Sequence, residues 1–177
     1  NQYKSHKFDL LIKENEFKGF SYDTAEASFE LLARKVLEKV PDYFVIGRFR
    51  VMDERRFNAR GEMVVESEAT VTLKIGGFSF HEVAVGNGPV NAVDTALRKA
   101  LVKIYPSLDD VSLVDYKVRI IDSSSGTEAT TRVLIECLSS NAVRWRSVGL
   151  STNIIDASVM ALSDALTWRL LSLGIEP

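Results

Sequence analysis

Two histidines, one cysteine and a few small-residue turns are what this sequence offers to chemistry. His6 and His81 stand far apart, and neither lies in an HxH or HExxH spacing, so the chain by itself supplies no metal-ligand set. His81, beside Glu82, reads as a surface or half-buried strand residue. Cys137 has no base at a recognisable spacing and falls on the apolar phase of a strand, as a small buried hydrophobe does; alone, it makes no internal disulfide. A GxSxG elbow and a P-loop are both missing. Catalysis by a constellation within this chain is therefore disfavoured.

Three places are better suited to binding. The turn Gly86-Asn87-Gly88-Pro89 feeds a helix, and such an entry offers free backbone amides and the positive end of the helix dipole to a carboxylate or phosphate. Its spacing is not a dinucleotide fingerprint, which needs a third glycine and a parallel βαβ unit. The other reading of the same glycines is that they let a strand turn tightly into a helix. Ser151-Thr152-Asn153 admits the same two readings. Asp115 and Tyr116 are the third place: alternation puts Tyr116 on the apolar phase and Asp115 on the solvent phase. They are either a core tyrosine beside an exposed carboxylate, or an aromatic wall with an anion at the rim of a pocket.

The elements that position these residues come as a repeat. Glu68 to Leu101 and Glu128 to Leu166 each open on Glu-Ala-Thr, run through a hairpin into a second strand and enter a helix through a small-residue turn. The expected fold is α+β, with two βββα units, 42–106 and 112–177, related by a pseudo-two-fold and preceded by a short helical connecting segment, 1–40. In that segment residues 1–22 are polar, with a short apolar cluster at Phe8, Leu10, Leu11 and Ile12 and a turn at Gly19. Asp23 reads as an N-cap with Glu26 completing a capping box, and the helix runs over about 23–39 until Pro41 forbids it. Alternation predicts strands over 43–52 and Val65 to Ile75, with a charged turn from Arg55 to Gly61 between them. Gly76-Gly77 is a hairpin, and Phe78 to Val85 returns. Pro89 opens a helix ended by Pro106. Strands around Val114 to Ile120, Glu128 to Cys137 and Arg144 to Leu150 follow, after a serine-rich turn ending at Gly126. A long helix then carries Ile154, Ser158, Ala161, Leu162, Ala165 and Leu166 inward. Each helix should cover its own sheet.

With 177 residues, 46% hydrophobic, 26% charged and a formal net charge of -2, the chain has ordinary globular composition. That charge provides no basic field for nucleic acid or an anionic membrane. No apolar run is long enough to span a bilayer and no signal peptide opens the chain, so a cytoplasmic location is expected. The start at Asn1, without Met, suggests a piece of a longer protein.

VGNGPVNAVDTALR, DYKVRIIDSSSGTEATTRVLIE and VGLSTNIIDASVMALSDAL resemble the C-terminal regulatory domain of the 2-isopropylmalate synthase and (R)-citramalate synthase family. GFSYDTAEASFELL resembles the connecting subdomain before it, so the likeness covers nearly the whole chain. DYKVRIID, GTEATTRVLIE and SVGLSTNIIDAS look more like citramalate synthases than leucine-pathway enzymes. The resemblance implies a homodimeric domain that binds the end-product amino acid at the subunit interface: isoleucine for citramalate synthases, leucine for the other branch. It also implies a separate TIM barrel that condenses acetyl-CoA with a 2-oxo acid, pyruvate in citramalate synthases, using a divalent metal. The barrel is not in this sequence, so no catalytic residue, metal ligand or cofactor is assigned here, and the fragment should not turn over substrate.

Carried over by position, the resemblance assigns the amino-acid site to Gly86, Asn87, Gly88, Pro89 and Val90, to Leu113, Tyr116, Ile120 and Ala129, and to Ile154. The turn amides suit a carboxylate, strand carbonyls or Asp115 an ammonium, and Val90, Leu113, Tyr116 and Ile120 a branched side chain. A dimerisation module that binds no effector predicts the same fold.

Overall fold

The computed structural model describes residues 2–37, 40–122, 126 and 128–177. Along the chain the elements are α1 (Gln2–Lys18), α2 (Glu26–Leu37), β1 (Val45–Phe57), β2 (Met63–Ile75), β3 (Phe78–Gly86), α3 (Pro89–Ile104), a 3-10 turn (Pro106–Leu108), β4 (Ser112–Ile120), β5 (Thr131–Leu138), β6 (Arg144–Ser151) and α4 (Ile154–Ser172). The strands form two antiparallel three-stranded sheets, ordered β1-β2-β3 and β4-β5-β6. Two βββα units result, the α+β fold that the repeat predicts. They are separate compact units: Asp42–Asp109 with Glu176–Pro177, and Asn1–Pro41 with Asp110–Ile175.

In the first unit, alternation along β2 decides which face is covered. Ala69, Val71, Leu73 and Ile75 are buried, whereas Thr70 and Thr72 are half-buried and Lys74 exposed. Against the buried row lie Ala92, Val93, Ala96, Leu97, Ala100 and Leu101, recurring along α3 at three-and-four spacing and also buried. Each such Leu or Val contributes roughly 1.5–3 kcal/mol when fully removed from water. The opposite side of α3 faces solvent. Gly76 and Gly77 both take positive φ, 55° and 84°, as the two-residue hairpin requires. Tyr105, non-helical and followed by Pro106, ends the helix, and its hydroxyl donates to the Tyr43 carbonyl at 3.0 Å.

β1 is longer than alternation suggests. Arg55 and Arg56 are not a turn but pair with Val65 and Val64, and the chain reverses only beyond Phe57. The reason lies in Asn58, whose side-chain oxygen accepts from the amides of Arg60 and Glu62 and closes the turn there. The hairpin continues past the last β3 partner, Gly86 opposite Ser67, and leaves Phe57, Met63 and Val65 exposed.

The second unit is built differently around its helix. Val133, Ile135 and Cys137 of β5 and Trp145 of β6 are buried on the side of α4, which has buried residues from Ala157 to Leu170. The far face of this sheet is also covered. Tyr22, Ala25 and Val148 form a buried cluster there, with Ile12, Phe20, Leu32 and Leu134 packed on it. Helix α2 lies against both β6 and α4. It treats β6 as an open edge to be closed, since Glu26 Oε1 accepts from the Arg146 amide at 3.1 Å and Ser28 Oγ from the Val148 amide at 3.0 Å.

That use of Glu26 corrects the expected capping box. Ala25 donates to the Tyr22 carbonyl in a turn, α2 begins only at Glu26, and Asp23 accepts from the Ser21 hydroxyl. The expected helix end at 38–39 lies outside the described residues. Residues 2–18, read as polar with one short apolar cluster, are helical: Phe8, Leu11 and Ile12 fall at three-and-four spacing and are half-buried, Phe8 against the Phe29 ring, while the rest of α1 is mostly solvated, with Phe17 94% exposed. The Gly19 turn after it is present. β5 starts at Thr131, not Glu128; part of the serine-rich turn, residues 123–125 and 127, is outside the described residues.

Candidate functional site

The eleven residues assigned to the amino-acid site divide between the units. Gly86 to Val90 belong to the first; Leu113, Asp115, Tyr116, Ile120, Ala129 and Ile154 belong to the second.

In the first unit the end of β3 lies hard against the start of α3. A Cβ on Gly86 would stand 2.5 Å from the Ala92 nitrogen and 2.8 Å from its Cα, so only glycine fits. Asn91 reaches back and its Oδ1 accepts from the Asn87 amide at 3.1 Å. The helix is capped by Gly88, in extended backbone with no side-chain cap, and Pro89 follows as its first residue. The positive end of α3 is thus dressed by no side-chain oxygen at its cap.

The second entry uses the same steric device with a different cap. A Cβ on Gly149 would lie 1.9 Å from the Ala157 carbonyl oxygen, so α4 can approach β6 only over a glycine. Here Asn153 caps the helix, its side chain accepting from Ile155 at 2.8 Å and Asp156 at 3.2 Å. Ser151 Oγ accepts from the Asn153 amide. Amides that would face an anion are already occupied.

Strict alternation would put Leu113 and Tyr116 on opposite faces of β4. A bulge at Val114 brings them to one side: Leu113 pairs with Cys137 and Tyr116 with Ile135, both on the helix face. Ile120, opposite Thr131, continues that row and is 57% exposed. The Ser158 hydroxyl donates to the Ile154 carbonyl at 2.6 Å, which leaves its oxygen to accept from Tyr116 at 2.8 Å. Tyr116 is therefore tied to the first turn of α4, beside Ile154, itself 43% exposed. Val118 and Ser158 belong to this face too. Ser158 was legible only as a helix residue, because its bond to Tyr116 is tertiary.

Asp115 lies on the other face, paired across the sheet with Glu136 and bonded to Lys117 at 2.7 Å. The hydrogen bond from Lys117 and its charge hold the Asp115 carboxyl below the ordinary aspartate range. It is not brought together with the Tyr116 ring. Ala129 is buried, its amide donating to Gly126. His81 is exposed, 3.2 Å from Thr72 Oγ1 through Nδ1, and Cys137 is buried. Among the described residues no three of His, Cys, Asp and Glu group as a metal site would require, and no helix is long and apolar enough to cross a membrane.

Two antiparallel sheets, each with a helix entering over an obligatory glycine, define an α+β domain of paired βββα units with exposed apolar positions beside one helix entry. The family model described as the LeuA allosteric (dimerisation) domain matches residues 23–170, and the chain belongs to that family. It is similar to an (R)-citramalate synthase of Geobacter sulfurreducens, 48% identical over 90% of this chain and 29% of that protein. A second (R)-citramalate synthase, from Aquifex aeolicus, is 45% identical over 90% of this chain and 30% of its own length. A 2-isopropylmalate synthase of Geobacillus sp. is 30% identical over 96% of this chain and 33% of its own. The chain spans about three-tenths of the length of the curated relatives it matches.

Proposed function

We propose that this chain is the dimerising, effector-binding regulatory part of a cytoplasmic (R)-citramalate synthase, and that isoleucine is its feedback inhibitor. Acetyl-CoA and pyruvate would be condensed in a metal-dependent TIM barrel outside these residues. The parent would be an acyltransferase, and this part would have no turnover of its own. The identities of 45% and 48% to citramalate synthases, against 30% to the isopropylmalate synthase, support this branch over leucine sensing.

The observation that carries effector binding is the α3 entry without a side-chain cap. Its backbone suits a carboxylate, whereas the α4 entry is already filled by Asn153. The second unit by itself has an apolar row, Leu113, Tyr116 and Ile120 beside Ile154, of a kind that suits a branched side chain. With Asp115 held by Lys117 on the far face, strand carbonyls are the better ammonium acceptors. Shape alone discriminates isomeric side chains by roughly 1–3 kcal/mol, so selectivity over leucine would be finite.

An inhibitor must bind the active and inactive arrangements unequally. α4 is a ready lever. Its first turn holds Tyr116 through Ser158, and farther along Asp164 accepts from Ser28 at 2.7 Å and the Trp168 indole donates to Glu30 at 2.7 Å, both on α2. Strain at the start of α4 would reach α2, and through it the connecting segment. Isothermal titration with isoleucine and leucine tests the reading: saturable heat with isoleucine and much less with leucine supports it. The reverse preference moves the chain to the leucine pathway, and no heat from either leaves a dimerisation module.

A further inference from the structure

Under the Gly19 turn the second unit has a cavity of about 360 Å³. Lys117 and Arg119 from β4, Arg132 from β5, and the hydroxyl residues Ser21 and Thr24 line it, with the Leu134 side chain as its apolar floor. Arg119 and Arg132 are direct partners in the β4-β5 register, so their side chains leave the sheet on one face, and both line the cavity. Like charges directly opposite one another are unfavourable unless an anion is shared between them.

No carboxylate of the described residues bridges the pair. Arg132 donates to the Gly19 carbonyl at 3.0 Å, a neutral group that leaves its charge uncompensated. Arg119 has no ion pair or hydrogen bond among the described residues. Lys117 is paired with Asp115, and Asp23 takes the Ser21 hydroxyl. The Arg119 fork and the remaining N–H groups of Arg132 are therefore open to an oxyanion, which Arg119 can hold in two-pronged fashion.

We infer that the Arg119-Arg132 cavity is a second ligand site, for a small molecule carrying at least two negative charges on phosphate or carboxylate groups. The ligand's oxygens bind between the two guanidinium groups and the Thr24 hydroxyl, and its apolar part lies on Leu134. The amino-acid site proposed above uses neither arginine, so failure here leaves that reading intact.

Isothermal titration of the 177-residue protein at low ionic strength, with inorganic pyrophosphate in one arm and citrate in the other, tests it. Saturable binding of at least one probe is expected, weaker as salt is added. Arg119→Gln should weaken it by about tenfold or more, the effect of losing a charge-assisted hydrogen-bond pair. The same substitution should leave the melting temperature of the free protein unchanged or higher, because a like-charge neighbour has gone. Binding of pyrophosphate alone assigns a phosphate ester; binding of citrate alone assigns a polycarboxylate. If neither probe binds, or if Arg119→Gln binds as tightly as the wild type, the site does not exist.

Discussion

The two βββα units share one plan and differ in what lies outside it. In both, a helix crosses its sheet over a glycine that admits no Cβ. In the first unit α3 has solvent behind it. In the second, α4 is packed on two sides, by its sheet and by α2, and its buried residues go well round the helix. The caps differ accordingly: Asn153 seals the start of α4, while Gly88 leaves the start of α3 with no side-chain cap. A duplicated motif has thus become a buttressed unit and an open one. The entry of α3, without a side-chain cap, is the one to which we assign a small carboxylate in the proposed function.

The largest break in this comparison should come from the crossing glycines. Gly149→Ala places its Cβ 1.9 Å from a helix carbonyl, against 2.5 Å from a helix nitrogen for Gly86→Ala. Backbone must move in both cases. We expect Gly149→Ala to cost about 3 kcal/mol or more and Gly86→Ala somewhat less, read from urea midpoints.

Ser28→Ala should come next. It strips the Val148 amide and the half-buried Asp164 carboxylate of one shared partner. Loss of about 1–3 kcal/mol is expected, the range for buried polar groups left unpaired.

Capping gives a smaller contrast with opposite signs. Asn153→Ala should cost about 1 kcal/mol, whereas Gly88→Ser, with open space around its new Cβ, should gain a few tenths. Thermal melts of the two variants check the pair.

The smallest effect concerns pH. Burial raises the Asp164 carboxyl above its ordinary 3.8, only partly offset by the Ser28 hydrogen bond and the charge of Lys35. The folded state therefore holds this proton more tightly than the unfolded one. Its contribution to stability is fully present below 3.8 and is lost as pH rises through the folded value. Asp164→Asn should be as stable as wild type, or more so by about 1 kcal/mol, near neutrality. The gap should close toward pH 4, as unfolding curves at several pH values would report.

Much of the fold was legible because the signals were local. Alternation on β2, the Gly76-Gly77 hairpin and the prolines bounding α3 each act within a few residues. What the sequence hid depends on tertiary structure or its absence. The apolar stripe of α1 is only Phe8, Leu11 and Ile12 in an otherwise polar stretch, the capping-box glutamate is drawn to the β6 edge, and β1 outruns its alternation because Asn58 sets the turn. At the candidate site the GNGP entry and the inward phase of Tyr116 were readable. The bulge that aligns Leu113 with Tyr116, the Ser158 bond and the Arg119-Arg132 pairing were not, since each depends on strand register or a distant helix.

The most direct test of the open entry is titration of isoleucine into wild type, Gly88→Asp and Asn153→Ala. A carboxylate at the Gly88 position would cap α3 with its own oxygen and occupy the amides that the ligand needs. The account predicts saturable heat with wild type and Asn153→Ala, and its loss in a fully folded Gly88→Asp. Undiminished binding by Gly88→Asp would contradict it.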